Sequence, residues 1–158
     1  DALCEHGNPD ETLKRFAKAP ETAPTEALLD TIDRCFSGDS VEEILSRLDA
    51  ETGEHADWAH KQAATMRTKS PTSLKIALRQ MRDGAKADFE ESMRIEYRVV
   101  TRVADGVDFY EGVRAVIIDK DHAPKWQPAR VEEVSDADID AYFAPVADEL
   151  DLSHPDRL

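Results

Sequence analysis

Ser70-Pro-Thr-Ser-Leu-Lys-Ile-Ala-Leu-Arg-Gln-Met81 is the stretch of this 158-residue chain that most plainly decides its fold class. Serine is a favoured residue just before a helix, and Pro71 would occupy the first helical position, where its missing N–H costs nothing. The apolar residues that follow recur at ideal helical spacing: Leu74, Ala77, Leu78 and Met81. Gly84 is a natural end of that pattern, so the stretch predicts an amphipathic α-helix.

Three more helices are predicted between this stretch and Thr25. Thr25 is the expected cap of the first, which ends before Gly38 and carries one apolar stripe: Leu28, Leu29, Ile32, Cys35 and Phe36. Ser40 and Glu43 are spaced as a capping box. That box opens a second helix with its own apolar stripe: Val41, Ile44, Leu45 and Leu48. A third helix is predicted from about 54 to 69, with Trp58, Ala63 and Met66 on it.

The pattern continues towards the carboxyl end. A long helix is predicted from about 86 to 104, ended by Gly106, with these residues on one face: Phe89, Met93, Tyr97 and Val100. Asp108 and Glu111 are spaced as a second capping box, opening a helix with these apolar residues: Phe109, Val113, Val116 and Ile117. Ser135 is the expected cap of a short last helix, which Pro145 stops.

No segment alternates apolar and polar residues as a half-buried strand does. The chain is therefore predicted to be all-α, with about seven helices in a domain over residues 25–145. Residues 1–24 are expected to form an irregular lead-in with one short helix near 11–18, since prolines interrupt it, and residues 146–158 a tail. The chain begins with Asp1 rather than methionine, so we expect a processed or truncated piece.

The charge balance argues against two classes of partner. Asp and Glu total 34 against 20 Lys and Arg, a formal net charge of −14. Such a field repels polyanions, so nucleic acid and anionic membrane surfaces are not expected partners. No apolar run approaches the roughly 18 residues that a membrane-spanning helix needs. The two cysteines, Cys4 and Cys35, lack metal-binding spacing, and Cys35 is most simply a small core residue.

The usual catalytic and metal-binding motifs are missing. His55 and His60 are five residues apart, so they point to different sides of a helix, unlike the paired histidines of a zinc protease. The remaining histidines lie in proline-rich or terminal segments: His6, His122 and His154. The sequence contains no GxSxG, GxGxxG or Walker motif, and its paired carboxylates are typical of solvated helix faces. No metal site is predicted.

One segment is denser in unusual residues than a plain helical surface would be, namely 108–128. Gly112 lies inside its predicted helix, where glycine costs about 1 kcal/mol relative to alanine. That cost suggests the close approach of another backbone or a ligand, or simply a tight helix crossing. Trp126 lies between Pro124 and Pro128 and is expected to anchor packing. Glu111 and Arg114 are three residues apart and are spaced as an ion pair.

Four segments in register resemble the 3-hydroxyisobutyryl-CoA hydrolases of the crotonase superfamily. Residues 108–128 resemble the DFxEGVRAxxIDKDxxPxWxP signature near the end of those proteins. Residues 70–75 match their SPTSLK segment, Glu96-Tyr-Arg98 their EYR stretch, and Cys35-Phe36 with the following Val41-Glu-Glu-Ile44 their CF…VEEI stretch. Val116 and the spacing of Asp119-Lys120 depart from the ordinary enoyl-CoA hydratase ending, which favours the hydrolase branch.

The resemblance implies a division of labour. Crotonase-like proteins have an amino-terminal ββα spiral core and carboxy-terminal helices, and this chain resembles the helices without the core. The catalytic groups belong to the core, so none is expected here. The helices are expected to cover the core and to build subunit contacts. A lysine near the last helix of such proteins can contact the phosphates of CoA, which implies Lys120, with Arg114 as a second candidate. CoA is part of the substrate, and no separate cofactor is implied.

The resemblance gives the leading hypothesis on function: a helical part of an enzyme that hydrolyses 3-hydroxyisobutyryl-CoA in valine breakdown. Its structural signature is Ser70, Pro71, Glu111, Gly112 and Trp126. Two alternatives stay open, namely part of an enoyl-CoA hydratase or isomerase, and a stand-alone helical interaction module. Arginine outnumbers lysine and alanine is frequent, which suggests a bacterial cytoplasmic protein.

Overall fold

A computed structural model describes residues 8–19 and 21–152 of the chain. Its α-helices are α1 (Pro9–Phe16), α2 (Leu29–Phe36), α3 (Val41–Ala50), α4 (Ala56–Met66), α5 (Pro71–Gly84), α6 (Phe89–Asp105), α7 (Val107–Val113) and α8 (Asp136–Phe143). Short 3-10 turns lie at Glu26–Leu28 and Val131–Glu133, and a π-helical turn, Arg114–Ile118, follows α7. These described residues contain no strand, which confirms the all-α prediction. Cys4, His6, Pro20 and His154 lie outside the described residues.

Seven of these helices, α2 to α8, lie within residues 25–145, and α1 lies in the predicted lead-in. The division into lead-in, domain and tail stays a prediction. No helix within 8–19 or 21–152 is long and apolar enough to cross a membrane.

The first of two apolar cores lies among α2, α3 and α4. Its buried residues are Cys35, Val41, Ile44, Leu45, Leu48, Ala59, Ala63 and Val131. The α3 residues recur at i, i+3, i+4 and i+7, so they form one stripe that faces α2 and α4. Leu48 is fully buried. Cys35 is a buried free cysteine and belongs to this core, as its apolar stripe indicates.

The second core lies where α6 and α8 pack together against α5. Its buried residues are Ile76, Ile95, Val99, Val134, Ile139 and Phe143. The helix α5 contacts α3 and α8, and it also contacts the 3-10 turn Val131–Glu133. Its Lys75 binds Glu42 of α3 at 2.7 Å and donates to the Val134 carbonyl at 2.8 Å. The helix α5 therefore joins the two cores.

Of the four caps predicted for these helices, Ser40, Ser70 and Ser135 are confirmed and Thr25 is wrong. Ser70 accepts a hydrogen bond from Ser73 N at 3.1 Å, and Ser135 forms a full capping box with Asp138. Thr25 makes no side-chain cap, because the chain opens with a 3-10 turn there. Ser40 caps α3, but Glu43 accepts from the Asp39 amide at 2.7 Å instead of returning to Ser40, so the predicted reciprocal box is incomplete.

The predicted apolar face of α6 exists, but it points away from both cores. Phe89 is 77% exposed and Val100 is 57% exposed, with Met93 on the same side. The core residues of α6 are Ile95 and Val99, which lie on the opposite side of the helix. Exposed apolar side chains continue along α7 and its π-helical turn: Val107, Phe109, Tyr110, Val116, Ile117 and Ile118. We call these residues of α6, α7 and the turn the open apolar face.

Candidate functional site

Asp108 and Glu111 of α7 hold a returning segment of chain instead of capping their helix. The predicted capping box is wrong, because α7 starts after Gly106 and no side chain caps it. Asp108 accepts hydrogen bonds from Ser70 Oγ at 2.5 Å and from Gln127 N at 2.8 Å. Glu111 Oε1 accepts from Lys125 N at 2.7 Å. Both carboxylates therefore bind the backbone of residues 123–128, which we call the strap.

The strap docks on α7 because the repeat of a helix matches the repeat of an extended chain at this point. Residues three apart on a helix lie on the same face, which places Asp108 and Glu111 side by side. Alternate residues of an extended chain point their N–H groups to the same side, which suits Lys125 and Gln127. Trp126 lies between these two amides, and its Nε1 donates to the Thr68 carbonyl at 2.9 Å. The strap is thus tied both to α7 and to the segment that precedes α5.

Gly112 of α7 lies beneath the Trp126 indole. A Cβ atom built on Gly112 would lie 3.4 Å from Cη2 and 3.7 Å from Cζ3 of the indole, which is ordinary van der Waals contact. No other atom of the described residues lies nearer than these, outside the helix itself. Among the described residues, neither another backbone nor a crossing helix approaches Gly112. The neighbour of Gly112 is an aromatic side chain with room for a methyl group.

Arg114 is the centre of a charged cluster directly after α7. Its Nε and Nη2 bind both oxygens of Glu111 at 2.8 Å, which is a bidentate pair. Its Nη1 donates to Asp119 at 2.7 Å and to Asp121 at 2.8 Å. Its Nη2 also donates to the Ala123 carbonyl at 3.3 Å. These bonds account for all five N–H donors of a guanidinium.

The cluster keeps its carboxylates ionised. The Arg114 guanidinium and the Lys125 amide lower the pKa of Glu111 from 4.5 to about 2. Hydrogen bonds from Arg114 and from the Ala123 amide lower the pKa of Asp121 as well. In return, the three carboxylates raise the pKa of Arg114, with Glu111 contributing most. Glu111 and Asp121 are consequently ionised throughout the neutral range, and their bonds to Arg114 do not depend on pH there.

Residues 119–122 form a tight loop, which we call the left-handed loop. The π-helical turn ends with Asp119 N bound to Arg114 O at 2.8 Å, and His122 N binds Ala115 O at 3.0 Å. Lys120 has φ 55° and His122 has φ 53°. Residues other than glycine adopt this left-handed conformation only rarely, so the surrounding bonds must hold it. Lys120 is exposed, and it makes no ion pair with any residue in the described ranges.

A groove lies beside the strap, between the start of α5 and the junction of α6 with α7. It has a volume of about 460 Å³. Apolar side chains make up most of its lining, including Ile76, Val103, Phe109, Val113 and Val116. Ser70, Asp108 and Tyr142 contribute polar atoms. Burial raises the pKa of Tyr142, and the nearby Asp108 adds to this effect. The groove is suited to apolar groups at its mouth, with the open apolar face as one wall.

The structure brings the residues of the predicted signature together. Ser70, Glu111, Gly112 and Trp126 all lie in or beside the strap contact, and Pro71 is buried at the first position of α5. Arg114 and Lys120 lie next to them, in the charged cluster and the left-handed loop.

His55 and His60 do not contact each other. His60 Nε2 lies 3.1 Å from the Asp49 carbonyl oxygen, whereas His55 precedes the first residue of the helix. No group of three potential metal ligands occurs among residues 8–19 and 21–152.

Besides the bonds of Asp108 and Glu111 to the strap, sequence reasoning missed the contacts of Asp119, Asp121 and Trp126. Asp119 and Asp121 were not recognised as partners of Arg114, because they lie five and seven residues away, outside regular helical spacing. The bond from Trp126 to the Thr68 carbonyl spans 58 residues and leaves no trace in the sequence. The alternation of acidic and basic residues in Asp119-Lys120-Asp121 was the only local signal available.

Comparisons with known proteins agree on the relatives of the chain. A family model described as enoyl-CoA hydratase/isomerase matches residues 1–143. The chain is 44% identical to "3-hydroxyisobutyryl-CoA hydrolase 1" of Arabidopsis thaliana, over 98% of this chain and 44% of that protein. It is 43% identical to "3-hydroxyisobutyryl-CoA hydrolase, mitochondrial" of Rattus norvegicus, over 75% of this chain and 30% of that protein.

Solved structures show the same fold. A carnitinyl-CoA dehydratase from Mycobacterium thermoresistibile superposes with a TM-score of 0.84 at 36% identity, over 95% of this chain and 42% of that one. An enoyl-CoA hydratase from Rhodobacter sphaeroides superposes with a TM-score of 0.70 at 32% identity, over 92% of this chain and 43% of that one. The chain thus spans less than half of its relatives, and its helical architecture fits the carboxy-terminal region of a crotonase-like protein. This chain belongs to the enoyl-CoA hydratase/isomerase family, within the crotonase superfamily.

Proposed function

We propose that the chain is the helical carboxy-terminal region of an enzyme that hydrolyses the thioester of 3-hydroxyisobutyryl-CoA, a step of valine catabolism. The curated relatives at 44% and 43% identity are named 3-hydroxyisobutyryl-CoA hydrolases, which supports the reaction class. The core of the longer protein supplies the catalytic groups in this proposal, and the chain contributes none. Its own role is to cover the acyl-CoA pocket and to build contacts with the core and with neighbouring subunits.

The open apolar face is the observation that carries this proposal. A soluble monomer rarely exposes a large contiguous apolar patch, and such patches usually mark contact with another surface. Phe89 at 77% exposure and Ile117 at 63% exposure are among the exposed apolar side chains of α6, α7 and the π-helical turn, and Ile117 also lines the groove beside the strap. A face of this kind suits a helical cover whose partner is the crotonase core.

Lys120 is the residue that we propose to contact the phosphates of CoA. The chain carries a net charge of −14, so an anionic substrate needs a local cation that acts against the overall field. Lys120 is exposed and makes no ion pair within residues 8–19 and 21–152, whereas all the N–H donors of Arg114 bind Glu111, Asp119, Asp121 and the Ala123 carbonyl. The ammonium of Lys120 is therefore the free charge of this cluster, and Arg114 is not expected to touch the substrate directly.

The decisive experiment measures hydrolysis of 3-hydroxyisobutyryl-CoA by the 158-residue chain and by the longer protein that contains it. We expect turnover by the longer protein alone. Turnover by the pure chain would overturn the non-catalytic role. Hydration of crotonyl-CoA by the longer protein, without thioester hydrolysis, would favour the enoyl-CoA hydratase alternative instead.

A second experiment tests the open apolar face. Phe89→Glu is expected to reduce self-association of the isolated chain in sedimentation velocity runs. Met81→Glu is a matched control, because Met81 is 75% exposed on α5 and outside the open apolar face. A chain that is monomeric and cooperatively folded without any substitution would favour the stand-alone interaction module.

The location of the protein in the cell is to be decided between the cytoplasm and the mitochondrion. The composition favours a bacterial cytoplasmic protein, whereas the rat relative carries the word mitochondrial in its name. Fractionation of the source cells distinguishes the two, because a matrix enzyme would sediment with mitochondria.

A further inference from the structure

Lys120 has an unusual electrostatic setting for an exposed lysine. It lies directly between Asp119 and Asp121 in a strongly acidic chain. Two carboxylates this close to an ammonium would ordinarily attract it and weaken its interaction with any incoming anion. In this structure neither carboxylate binds Lys120, and both are bound instead to the same nitrogen, Nη1 of Arg114, at 2.7 and 2.8 Å.

The backbone of the left-handed loop depends on the same arginine. Lys120 and His122 both have positive φ angles, each of which costs on the order of 1 kcal/mol or more for a residue with a Cβ atom. Arg114 binds the side chains on both sides of Lys120, and its own carbonyl accepts from Asp119 N at 2.8 Å. Glu111 fixes the guanidinium from the other side through two bonds of 2.8 Å. The loop is thus built around Arg114.

We infer that Arg114 is a positioning residue for Lys120: it draws the flanking carboxylates away and holds the left-handed loop, so that the ammonium is free to bind a phosphate of the acyl-CoA substrate. This inference rests on the proposed function, in which Lys120 contacts CoA. It adds a role for a residue that does not touch the substrate. It also explains why an arginine with three carboxylate partners lies beside Lys120, which has no ion-pair partner among the residues that the structure describes.

The first test needs no activity and uses the 158-residue chain. In Arg114→Gln, the carbon chemical shifts of Lys120 are expected to lose the signature of positive φ, while those of Val99 in the second core stay unchanged. Arg47→Gln is the matched control, because Arg47 also binds a glutamate of its own helix, Glu43, but lies in α3. Unchanged Lys120 shifts in Arg114→Gln would overturn the inference.

The second test uses steady-state kinetics of the longer protein with 3-hydroxyisobutyryl-CoA. Arg114→Gln and Lys120→Ala are each expected to raise KM about tenfold, the size typical of one lost charge-assisted hydrogen bond, with kcat within about twofold. The double variant is expected to be no worse than either single variant, because both remove the same contact. A merely structural role would instead lower kcat, or add to the effect of Lys120→Ala, and either result would overturn the inference.

The two proposals fail in different ways. A longer protein that does not hydrolyse the substrate at all defeats the proposed function, whatever the chemical shifts show. A working hydrolase whose KM is unchanged in Lys120→Ala keeps the proposed reaction, but it defeats both the proposed Lys120 contact and the inference that rests on it. A working hydrolase whose KM rises in Lys120→Ala but not in Arg114→Gln keeps that contact and defeats only the inference. The same comparison with the CoA product and dephospho-CoA as inhibitors identifies the phosphate: loss of the Lys120 effect with dephospho-CoA assigns the contact to the 3′-phosphate, and its retention to the diphosphate.

Discussion

Replacing Gly112 with alanine should stabilise the isolated chain, although the resemblance and the cost of a helical glycine drew attention to that position. Alanine is about 0.8–1.0 kcal/mol more favourable than glycine inside a helix. The new methyl group would lie 3.4 and 3.7 Å from the Trp126 ring, a contact that adds no strain. We therefore expect a gain of about 0.5–1 kcal/mol in the free energy of unfolding, which corresponds to a rise in Tm of roughly 1–4 °C for a chain of this size.

Gly38→Ala is the matched control for this experiment. A Cβ atom at Gly38 would lie 3.1 Å from Ile44 N and 3.2 Å from Glu43 Cβ, so backbone atoms would have to shift. We expect a loss of about 1–2 kcal/mol there, the size typical of overpacking. Urea unfolding followed by circular dichroism measures both variants. A loss of more than about 1 kcal/mol in Gly112→Ala would refute the reasoning. A loss seen only in the longer protein would show that its core occupies the space beside Gly112.

Three further predictions concern the core, the cluster and the strap. Leu48→Ala is expected to lose about 3 kcal/mol in urea unfolding, because Leu48 is 0% exposed and leaves a cavity; a loss below 1 kcal/mol would contradict its burial. Glu111 has a pKa lowered from 4.5 to about 2, so its stabilisation is complete above pH 4.5 and is lost as the pH falls towards 2. The difference in Tm between the native chain and Glu111→Gln should shrink across that window; a constant difference would show that ionisation of Glu111 plays no part. Trp126→Phe removes the 2.9 Å bond to the Thr68 carbonyl and should cost about 1 kcal/mol in the same urea assay, whereas no change would mean that water replaces this bond fully.

The helices were largely predictable because their determinants are local. Ser70 and Ser135 cap the helices that they precede, and the apolar stripe of α3 is buried as its spacing indicates. The capping box predicted at Asp108 failed because Asp108 has competing partners from distant parts of the chain, whereas Glu43 binds the nearby Asp39 amide instead of Ser40. Asp108 lies 38 residues from Ser70 and 19 from Gln127, and both bonds outcompete a local cap. No local pattern reveals a partner at such a distance.

The resemblance identified the segment that forms the site, residues 108–128. It did not predict the contacts that the side chains of this segment make. The pairing of Arg114 with Glu111 follows from helical spacing and is confirmed. The contacts to Asp119 and Asp121 exist only because a π-helical turn and a residue with positive φ change the direction of the chain. The sequence has no glycine there that would predict a positive φ. The apolar stripe of α6 that includes Phe89 was predicted correctly. Periodicity alone, however, does not tell whether such a stripe packs on a core or is exposed.

The short segment between the strap and α8 has a consequence for how this fold tolerates change in length. Val131 belongs to the first core and Val134 to the second, and one 3-10 turn closed by a 3.1 Å bond separates them. That turn sets the register between two otherwise separate packing units. An inserted residue there must displace a valine from one unit, whereas an insertion after the exposed Lys86, between α5 and α6, lengthens only a connection. Thermal unfolding of the two insertion variants should show a large fall in Tm for the first and a small one for the second, so that residues 131–134 tolerate a change in length less well than the connection between α5 and α6.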